Sequence, residues 1–401
     1  MPRCSSVSVA CLCLAFSSLL FTAPNARGAT VKASSSGTEV AYILDGSMAQ
    51  TYDVDPATGN ATQEGSEVTL DAASNVTLIP SPNDHFLYVT GNDSSNVEWL
   101  WVYATDSTGA PQLPAVQALN LADGGFSVYQ FVISPTGTLA YMAESMYTSQ
   151  YFVVAKIAGF TIDSNTGIVT RFPKPVATYH PNGPCLLTAS AFFSLYGVGA
   201  TGKELYDKWE CIYPFGNDSA QYFSRTINPS TGAVGPDKTI LDWADGNEGF
   251  DIVSITGSSL VYYSDPSIES NGQNSLNVYA LNGTYLFSCT DSNLEACGYG
   301  IGNVTDRTGQ WDLIALAPDL NEVLRIELGQ KQVVDTKNYV QGYFQAFAPD
   351  DALIYTLQPN QSNPWVYPIY VFDPSTGSVT YNGGNIWDLN GPGTVVTALR
   401  Q

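Results

Sequence analysis

Asp55-Pro56-Ala57-Thr58-Gly59 and Asp106-Ser107-Thr108-Gly109 are two copies of one corner: an acid, a short turn and a closing Thr-Gly pair. Asp or Asn opens a type I turn, proline presets its first φ, and glycine takes the left-handed position that ends the loop. The corner returns at Asp163-Ser164-Asn165-Thr166-Gly167, Asn228-Pro229-Ser230-Thr231-Gly232 and Asp373-Pro374-Ser375-Thr376-Gly377. Weaker versions stand at Asn282-Gly283 and Leu328-Gly329. The glycines from Gly59 to Gly377 are then spaced by 50, 58, 65, 51, 46 and 48 residues. A strand-built repeat of about 50 residues predicts a propeller.

A second signature alternates with the corner. A turn runs into a short apolar strand centred on tyrosine: Ser81-Pro82-Asn83-Asp84 into Leu87-Tyr88-Val89, Ser134-Pro135-Thr136-Gly137 into Leu139-Ala140-Tyr141, and Ala348-Pro349-Asp350-Asp351 into Leu353-Ile354-Tyr355. Degenerate copies are Val40-Ala41-Tyr42, Phe193-Ser194-Leu195-Tyr196, Leu260-Val261-Tyr262 and Leu313-Ile314-Ala315. Each unit reads as four strands, with the tyrosine in the second and the Thr-Gly corner between the third and fourth. Near-continuous apolar runs in strands one and two fit burial on both faces of each sheet. The first unit lacks a strand one, and Gly393-Thr394-Val395-Val396-Thr397-Ala398-Leu399 supplies one at the end of the chain. The fold expected is all-β: a seven-bladed β-propeller of four-stranded antiparallel blades, closed by the C-terminal strand pairing into the first blade.

Arg3, the apolar run Val7 to Phe21 and the small residues of Ala26-Arg27-Gly28 read as a signal peptide over residues 1–28. The rest, residues 30–401, is a single propeller domain with no linker and no span long enough for a membrane. Cleavage removes two arginines and no acid, leaving 13 basic against 37 acidic residues, a net charge of −24. Such a surface repels nucleic acid and anionic lipid. The product is expected to be secreted, extracellular or, in a Gram-negative bacterium, periplasmic, and to be a monomer. Four cysteines stay with the mature chain, an even set that points to disulfides in an oxidising compartment. Blade placement pairs Cys185 with Cys211 and Cys289 with Cys297. Seven Asn-x-Ser/Thr sequons occur, from Asn60 to Asn360.

The alternation of Ser-Pro turns, Leu-Tyr-Val strands and Asp-x-x-Thr-Gly corners resembles the seven-bladed lactonase-like propellers. These have YVTN-type repeats and include the propeller-type 6-phosphogluconolactonases and the carboxymuconate cyclases. The resemblance implies histidine, arginine and glutamate at a channel mouth, binding an anionic lactone and moving a proton. In a four-stranded blade the one-to-two and three-to-four turns share one rim. The two-to-three and blade-to-blade loops share the other, which faces the ligand in this family. On that assignment His85 falls on the wrong rim, Arg307 and Arg400 lie near it, Arg225 nears a corner, and Arg171 and Arg325 occupy outer strands. No arginine is left in a ligand-rim loop, which departs from the family inventory.

His180, in Tyr179-His180-Pro181-Asn182-Gly183, is the histidine expected on the ligand rim, suited to base chemistry near neutral pH. Asp242, Asp245, Glu248 and Asp251 enter the fifth blade together and could act as acid and base; Ala244 breaks a calcium-loop pattern, and no metal or other cofactor is expected. Rim acids at Asp123, Glu144, Glu204 and Asp207 accompany aromatic residues at Trp99, Trp101, Tyr147, Trp209, Trp243, Trp365 and Trp387. Aromatic faces beside carboxylates suit sugar rings or a cation. Two functions follow. One is a non-catalytic binder of a small molecule, carbohydrate or protein, contacted by Asp242, Asp251, Trp209, Trp243 and Trp365. The other is a lactone hydrolase or lactonising isomerase using His180 with Asp245 and Glu248.

Overall fold

Every regular element among the described residues of the computed structural model is a β-strand. The model describes residues 38–400 apart from 123, 148–152, 180–182, 184, 186–189, 200, 213–218, 245–251, 256–259, 266–274, 281–283, 291–300, 307–310, 317–322, 328–331, 336–342, 349–352, 359–364, 374–377 and 389–392. For Ser190 and for strand residues within 241–280, 286–335 and 343–344 the backbone alone is described.

The first sheet holds β1 (Thr38–Asp45), β2 (Met48–Val54) and β3 (Ala61–Thr69), and the second β4 (Ser74–Pro80), β5 (Phe86–Asn92), β6 (Glu98–Ala104) and β7 (Gln117–Asn120). The third runs β8 (Ser127–Ile133), β9 (Leu139–Tyr147), β10 (Val153–Ile162) and β11 (Val169–Arg171), with β12 (Ala177–Thr178) also pairing to β10. The fourth is β13 (Ser190–Val198), β14 (Glu204–Ile212), β15 (Ser219–Ile227) and β16 (Val234–Ala244). The fifth is β17 (Ile252–Ile255), β18 (Leu260–Asp265), β19 (Ser275–Ala280) and β20 (Tyr285–Thr290); the sixth is β21 (Ile301–Asp306), β22 (Trp311–Leu316), β23 (Val323–Glu327) and β24 (Gln332–Asp335). The seventh is β25 (Tyr343–Phe347), β26 (Leu353–Leu357), β27 (Trp365–Asp373) and β28 (Ser378–Asp388). The last strand, β29 (Thr394–Arg400), returns to the first sheet and pairs antiparallel with β1, Tyr42 opposite Val396.

The two sequence signatures locate the turns of these sheets. The corners ending at Gly59, Gly109, Gly167 and Gly232 each follow the third strand of a sheet, and the Ser-Pro turns at Ser81 and Ser134 join first to second strands. Asp55 closes its corner by accepting hydrogen bonds from Ala57 N at 2.8 Å and Thr58 Oγ1 at 2.8 Å. Ser81 and Ser134 act alike on the other turn, each Oγ accepting from the amide five residues on, Phe86 at 3.0 Å and Leu139 at 3.1 Å.

One expected second strand is placed differently. Phe193-Ser194-Leu195-Tyr196 lies in β13, the first strand of its sheet, and the second strand is β14. The segment Gly199 to Ala220 is therefore built around a nine-residue strand. Its sequence, Glu-Leu-Tyr-Asp-Lys-Trp-Glu-Cys-Ile, hides the apolar period because Asp207 and Lys208 are buried with partners of opposite charge.

The core lies between sheets. Val40 and Tyr42 of the first sheet pack on Leu87, Val89 and Tyr103 of the second. Tyr88 and Leu100 meet Met142 and Phe160 of the third, and Tyr141 and Ile157 meet Phe193 and Trp209 of the fourth. Tyr355, Tyr367 and Ile369 of the seventh pack on Ala41 and Ile43 of the first. Each valine, leucine, isoleucine, methionine or phenylalanine among them, taken fully from water, contributes about 1.5–3 kcal/mol. Further contacts join β17 and β18 to β21, and β21 to β25.

The turns also lock adjacent sheets. Tyr42 Oη donates to Gly109 O at 2.8 Å, and Tyr141 Oη donates to Gly232 O at 3.1 Å. In each case the second-strand tyrosine of one sheet satisfies the corner carbonyl of the next. A Cβ on Gly109, whose φ is +87°, would lie 3.0 Å from Val40 Cγ1, so glycine is required there by both conformation and space.

Candidate functional site: the rim of the third and fourth sheets

The rim opposite the corners is formed by the loops between second and third strands. On the third and fourth sheets those loops, residues 148–152 and 213–218, lie outside the described residues, and the strand ends that flank them carry its described side chains. Ser127 of β8 stands opposite Ser145 of β9, and Phe192 of β13 stands opposite Glu210 of β14, so the first strands begin at this rim. A β-bulge between Tyr129 and Phe131 interrupts the alternation of β8. Gln130, at φ 41°, occupies the bulge, and both it and Tyr129 are turned outward while Phe131 stays in the core. Bulges re-aim side chains in this way. Gln130 Oε1 accepts from Leu195 N at 2.8 Å, tying β8 to β13 where that strand has its own irregularity.

Three aromatic side chains are exposed here: Tyr129 (44%), Phe192 (48%) and Tyr147 (59%) at the end of β9. Burial, and after it the neighbouring Tyr129, hold the Tyr147 phenol above its ordinary pKa. Tyr147 was among the aromatic residues expected on this rim. Tyr129 and Phe192 were missed, because both sit inside apolar runs that read as core; the glutamine within Val128 to Ile133 was the available signal.

On the same sheets the buried charges are internally paired. Glu144, fully buried on β9, faces Lys156 Nζ at 3.0 Å and the guanidinium of Arg171. Lys156 Nζ lies 3.7 Å from the Phe126 ring centroid. Glu98 Oε2 accepts from Val128 N at 2.9 Å, while burial and the Glu144 charge raise the Glu98 pKa. Arg171 thus belongs to an outer strand, as expected, but its guanidinium reaches inward to neutralise the second strand.

The fourth sheet repeats the device. Arg225 Nε donates to Asp207 Oδ2 at 2.8 Å, Arg225 Nη2 donates to Tyr179 Oη at 2.7 Å, and Tyr179 Oη donates to Asp207 Oδ1 at 2.6 Å. Burial outweighs the pull of Arg225 and lifts the Asp207 carboxyl from 3.8 to about 6. Tyr179 is pushed well above the ordinary phenol range, by burial first and then by the Asp207 charge.

Tyr179 also begins the segment that carries His180. Its amide donates to Ala155 O at 2.9 Å, and its ring packs on Phe193 and Trp209 at centroid distances of 4.8 and 5.3 Å. Gly183, at φ 51°, lies flat on Trp209, with a notional Cβ 2.5 Å from Trp209 Cε2. Cys185 then forms the expected disulfide with Cys211 of β14. The chain on both sides of position 180 is therefore pinned to the fourth sheet.

The expected site residues fall into three groups. His180, Asp245, Glu248, Asp251 and Cys297 lie outside the described residues, as does Asp123. Asp242 and Trp243 end β16, opposite Gln221 and Ala220, and Cys289 stands in β20 opposite Leu276, with backbone alone described. Trp365 opens β27 on the loop side and is half-buried, while Trp387 of β28 is 56% exposed.

Trp209, expected as a ligand contact, is instead fully buried between the third and fourth sheets. Its indole is covered by Tyr179, Phe193 and Gly183, so no ring face is available. Glu204 is corrected as well: it opens β14 beside the one-to-two turn, where Thr201 Oγ1 donates to it at 2.7 Å, and so belongs to the other rim. Asp207 is buried within the strand rather than displayed at the loop. His85 is exposed in the one-to-two turn, as its position between Asp84 and Phe86 required.

The fold is that of the lactonase-like β-propellers. The periplasmic gluconolactonase of Pseudomonas aeruginosa superposes with a TM-score of 0.56 at 14% identity, covering 90% of this chain and 99% of its own. A Bacteroides fragilis structure assigned as a 6-phosphogluconolactonase gives 0.54 at 13%, covering 92% and 99%. A Bacteroides uniformis structure with the same assignment gives 0.52 at 15%, covering 91% and 100%. No protein-family model and no curated sequence matches the chain. Among the described residues no helix is long and apolar enough to cross a membrane.

Proposed function

We propose that the chain is a secreted, monomeric, closed seven-bladed propeller that binds an uncharged carbohydrate at the rim of its third and fourth sheets without turning it over. The ring reading is supported by seven sheets in chain order, by β29 pairing to β1, and by contacts of β25 with β29, β28 with β3 and β29 with β4.

The observation that carries the functional reading is a contrast of exposure. Tyr129, Phe192 and Tyr147 present aromatic faces to solvent, whereas Lys156, Arg171 and Arg225 of the same two sheets each face an internal carboxylate. Aromatic faces stack on sugar CH groups, and guanidinium groups committed to Glu144 and Asp207 do not serve a phosphate or carboxylate. Neutral oligosaccharides titrated into the mature protein should bind, and Phe192→Ala with Tyr129→Ala should remove the binding. Gluconolactone and its 6-phosphate should be hydrolysed no faster than in buffer.

A second reading is favoured by the lactonase assignments of the structural neighbours and by the pinning of the chain around position 180. In it His180, with Asp245 and Glu248, moves the proton of a lactone hydrolysis or lactonisation. Turnover of either lactone that is lost in His180→Ala would establish this reading and overturn the first.

A further inference from the structure

The rim that carries the corners holds a cleft of about 210 Å³ between the second and third sheets. Pro82, Phe86 and Pro135 form its apolar walls, and Asn83, Tyr88 and Ser164 contribute polar groups. Among the described residues no charged side chain lines it.

The cleft arises where the tyrosine-to-corner lock is broken. Tyr42 and Tyr141 donate to the glycine carbonyls of the next sheet's corner, at Gly109 and Gly232. Tyr88 holds the same place on the second sheet, and its corner glycine is Gly167. There Phe86 takes the place that Val40 and Leu139 hold at the other two corners, but lies closer, with a notional Gly167 Cβ 2.5 Å from Phe86 Cδ1 against 3.0 Å for Val40 and Leu139. Tyr88 is 1% exposed overall and lines the cleft, and its hydroxyl makes no hydrogen bond to a described protein group. Burial alone accounts for the upward displacement of its pKa. Asn83 spends its Oδ1 on Ser81 Oγ at 2.6 Å and His85 N at 3.4 Å, which leaves its amide NH₂ without a described bond. Ser164 Oγ, at the lip, is equally uncommitted, and Ser164 is exposed.

We propose that this cleft is a binding site for one neutral monosaccharide ring. Tyr88 Oη, the Asn83 amide and Ser164 Oγ supply uncharged hydrogen-bonding groups that can exchange water for ligand hydroxyls. Proline and phenylalanine walls accept the CH faces of the ring, and the absence of charge disfavours anions and cations alike. The volume lies below the roughly 300–1,000 Å³ of drug-sized pockets, so it suits a single ring rather than a longer chain. The site is on the rim opposite Tyr129 and Phe192 and does not depend on the function proposed for that rim.

The test is titration of the mature protein with glucose, galactose and mannose, read by calorimetry or ligand-observed NMR. At least one hexose should bind to a site that Ser164→Trp abolishes, because the indole would fill the mouth of the cleft from an exposed position that leaves the fold intact. Tyr88→Phe should weaken the same binding about fivefold, the loss of one hydrogen bond. Phe192→Ala should leave it unchanged. Absence of hexose binding to the wild type, or binding that survives Ser164→Trp, would overturn the proposal; the second result combined with loss in Phe192→Ala would assign the sugar to the other rim.

Discussion

Tyr42, on the second strand of one sheet, donates its phenol hydrogen to the carbonyl of Gly109, which closes the corner of the next. The two residues are 67 apart in sequence, and they explain why a tyrosine strand and a Thr-Gly corner alternate along the chain. Removing the hydroxyl leaves a buried carbonyl short of a partner. Tyr42→Phe and Tyr141→Phe should each lower unfolding free energy by about 1–3 kcal/mol. Tyr88→Phe, which breaks no internal bond, should change it little. Urea denaturation of the three variants makes the comparison; equal losses would show that the hydrogen bond is not what distinguishes them.

Gly167 tests the corner from the opposite side. Its φ of +72° disfavours any other residue, and Phe86 stands where a Cβ would go. Gly167→Ala should therefore destabilise by about 2 kcal/mol or more, through strain and overpacking together. Gly46, at φ +59° with no atom within 4 Å of its notional Cβ, carries the backbone component alone, so Gly46→Ala should cost less. The two melting temperatures separate the contributions.

The pH dependence of stability should carry the mark of Asp207. Its folded pKa, about 6, is raised above the unfolded 3.8 by burial. The folded state then holds more protons between those values, so the stability contributed is full below about 4 and is lost as pH rises through about 6. Asp55, Asp93 and Asp106 are all lowered by hydrogen bonds and act below that window, in the opposite sense. The melting temperature of the wild type minus that of Asp207→Asn should grow as pH falls from 7 to 4. A difference that is flat or shrinks would contradict the assignment.

Reduction of Cys185–Cys211, or Cys185→Ala with Cys211→Ala, opens a loop with a sequence separation of 26. The expected cost is about 3 kcal/mol. If the pinned segment before β13 supports the rim, carbohydrate affinity should fall in the same variant at temperatures where it remains folded. Binding by calorimetry, with circular dichroism to confirm folding, provides the check.

Deletion from Gly393 onward removes β29 and with it the pairing to β1. It also removes the Gly393 backbone that bonds Tyr367 Oη at 2.7 and 3.1 Å, and the Thr397 bond to Phe347 O at 2.8 Å. A closed ring should respond as a whole, with one cooperative transition at a much lower temperature. Unchanged melting would argue against closure.

The sequence by itself determined the turns, and through them the order of strands. A Thr-Gly corner or a Ser-Pro turn is a local event, set by φ preferences and by side chains such as Asp55 and Ser81 that bond a few residues away. The repeat spacing, the strand containing Tyr42, Tyr88 or Tyr141, and the partner of Cys185 were all legible at that level. The tertiary structure alone decided which polar and aromatic residues are free to act. Trp209 reads as a rim aromatic and is buried by Tyr179, Phe193 and Gly183; Tyr129 reads as core and is turned out by a one-residue bulge. Asp207 and Glu144 read as displayed carboxylates and are consumed by Arg225, Lys156 and Arg171 from other strands. Burial and ion pairing depend on what the neighbouring strand and sheet bring to within a few ångströms, and that information is distributed over residues tens of positions apart.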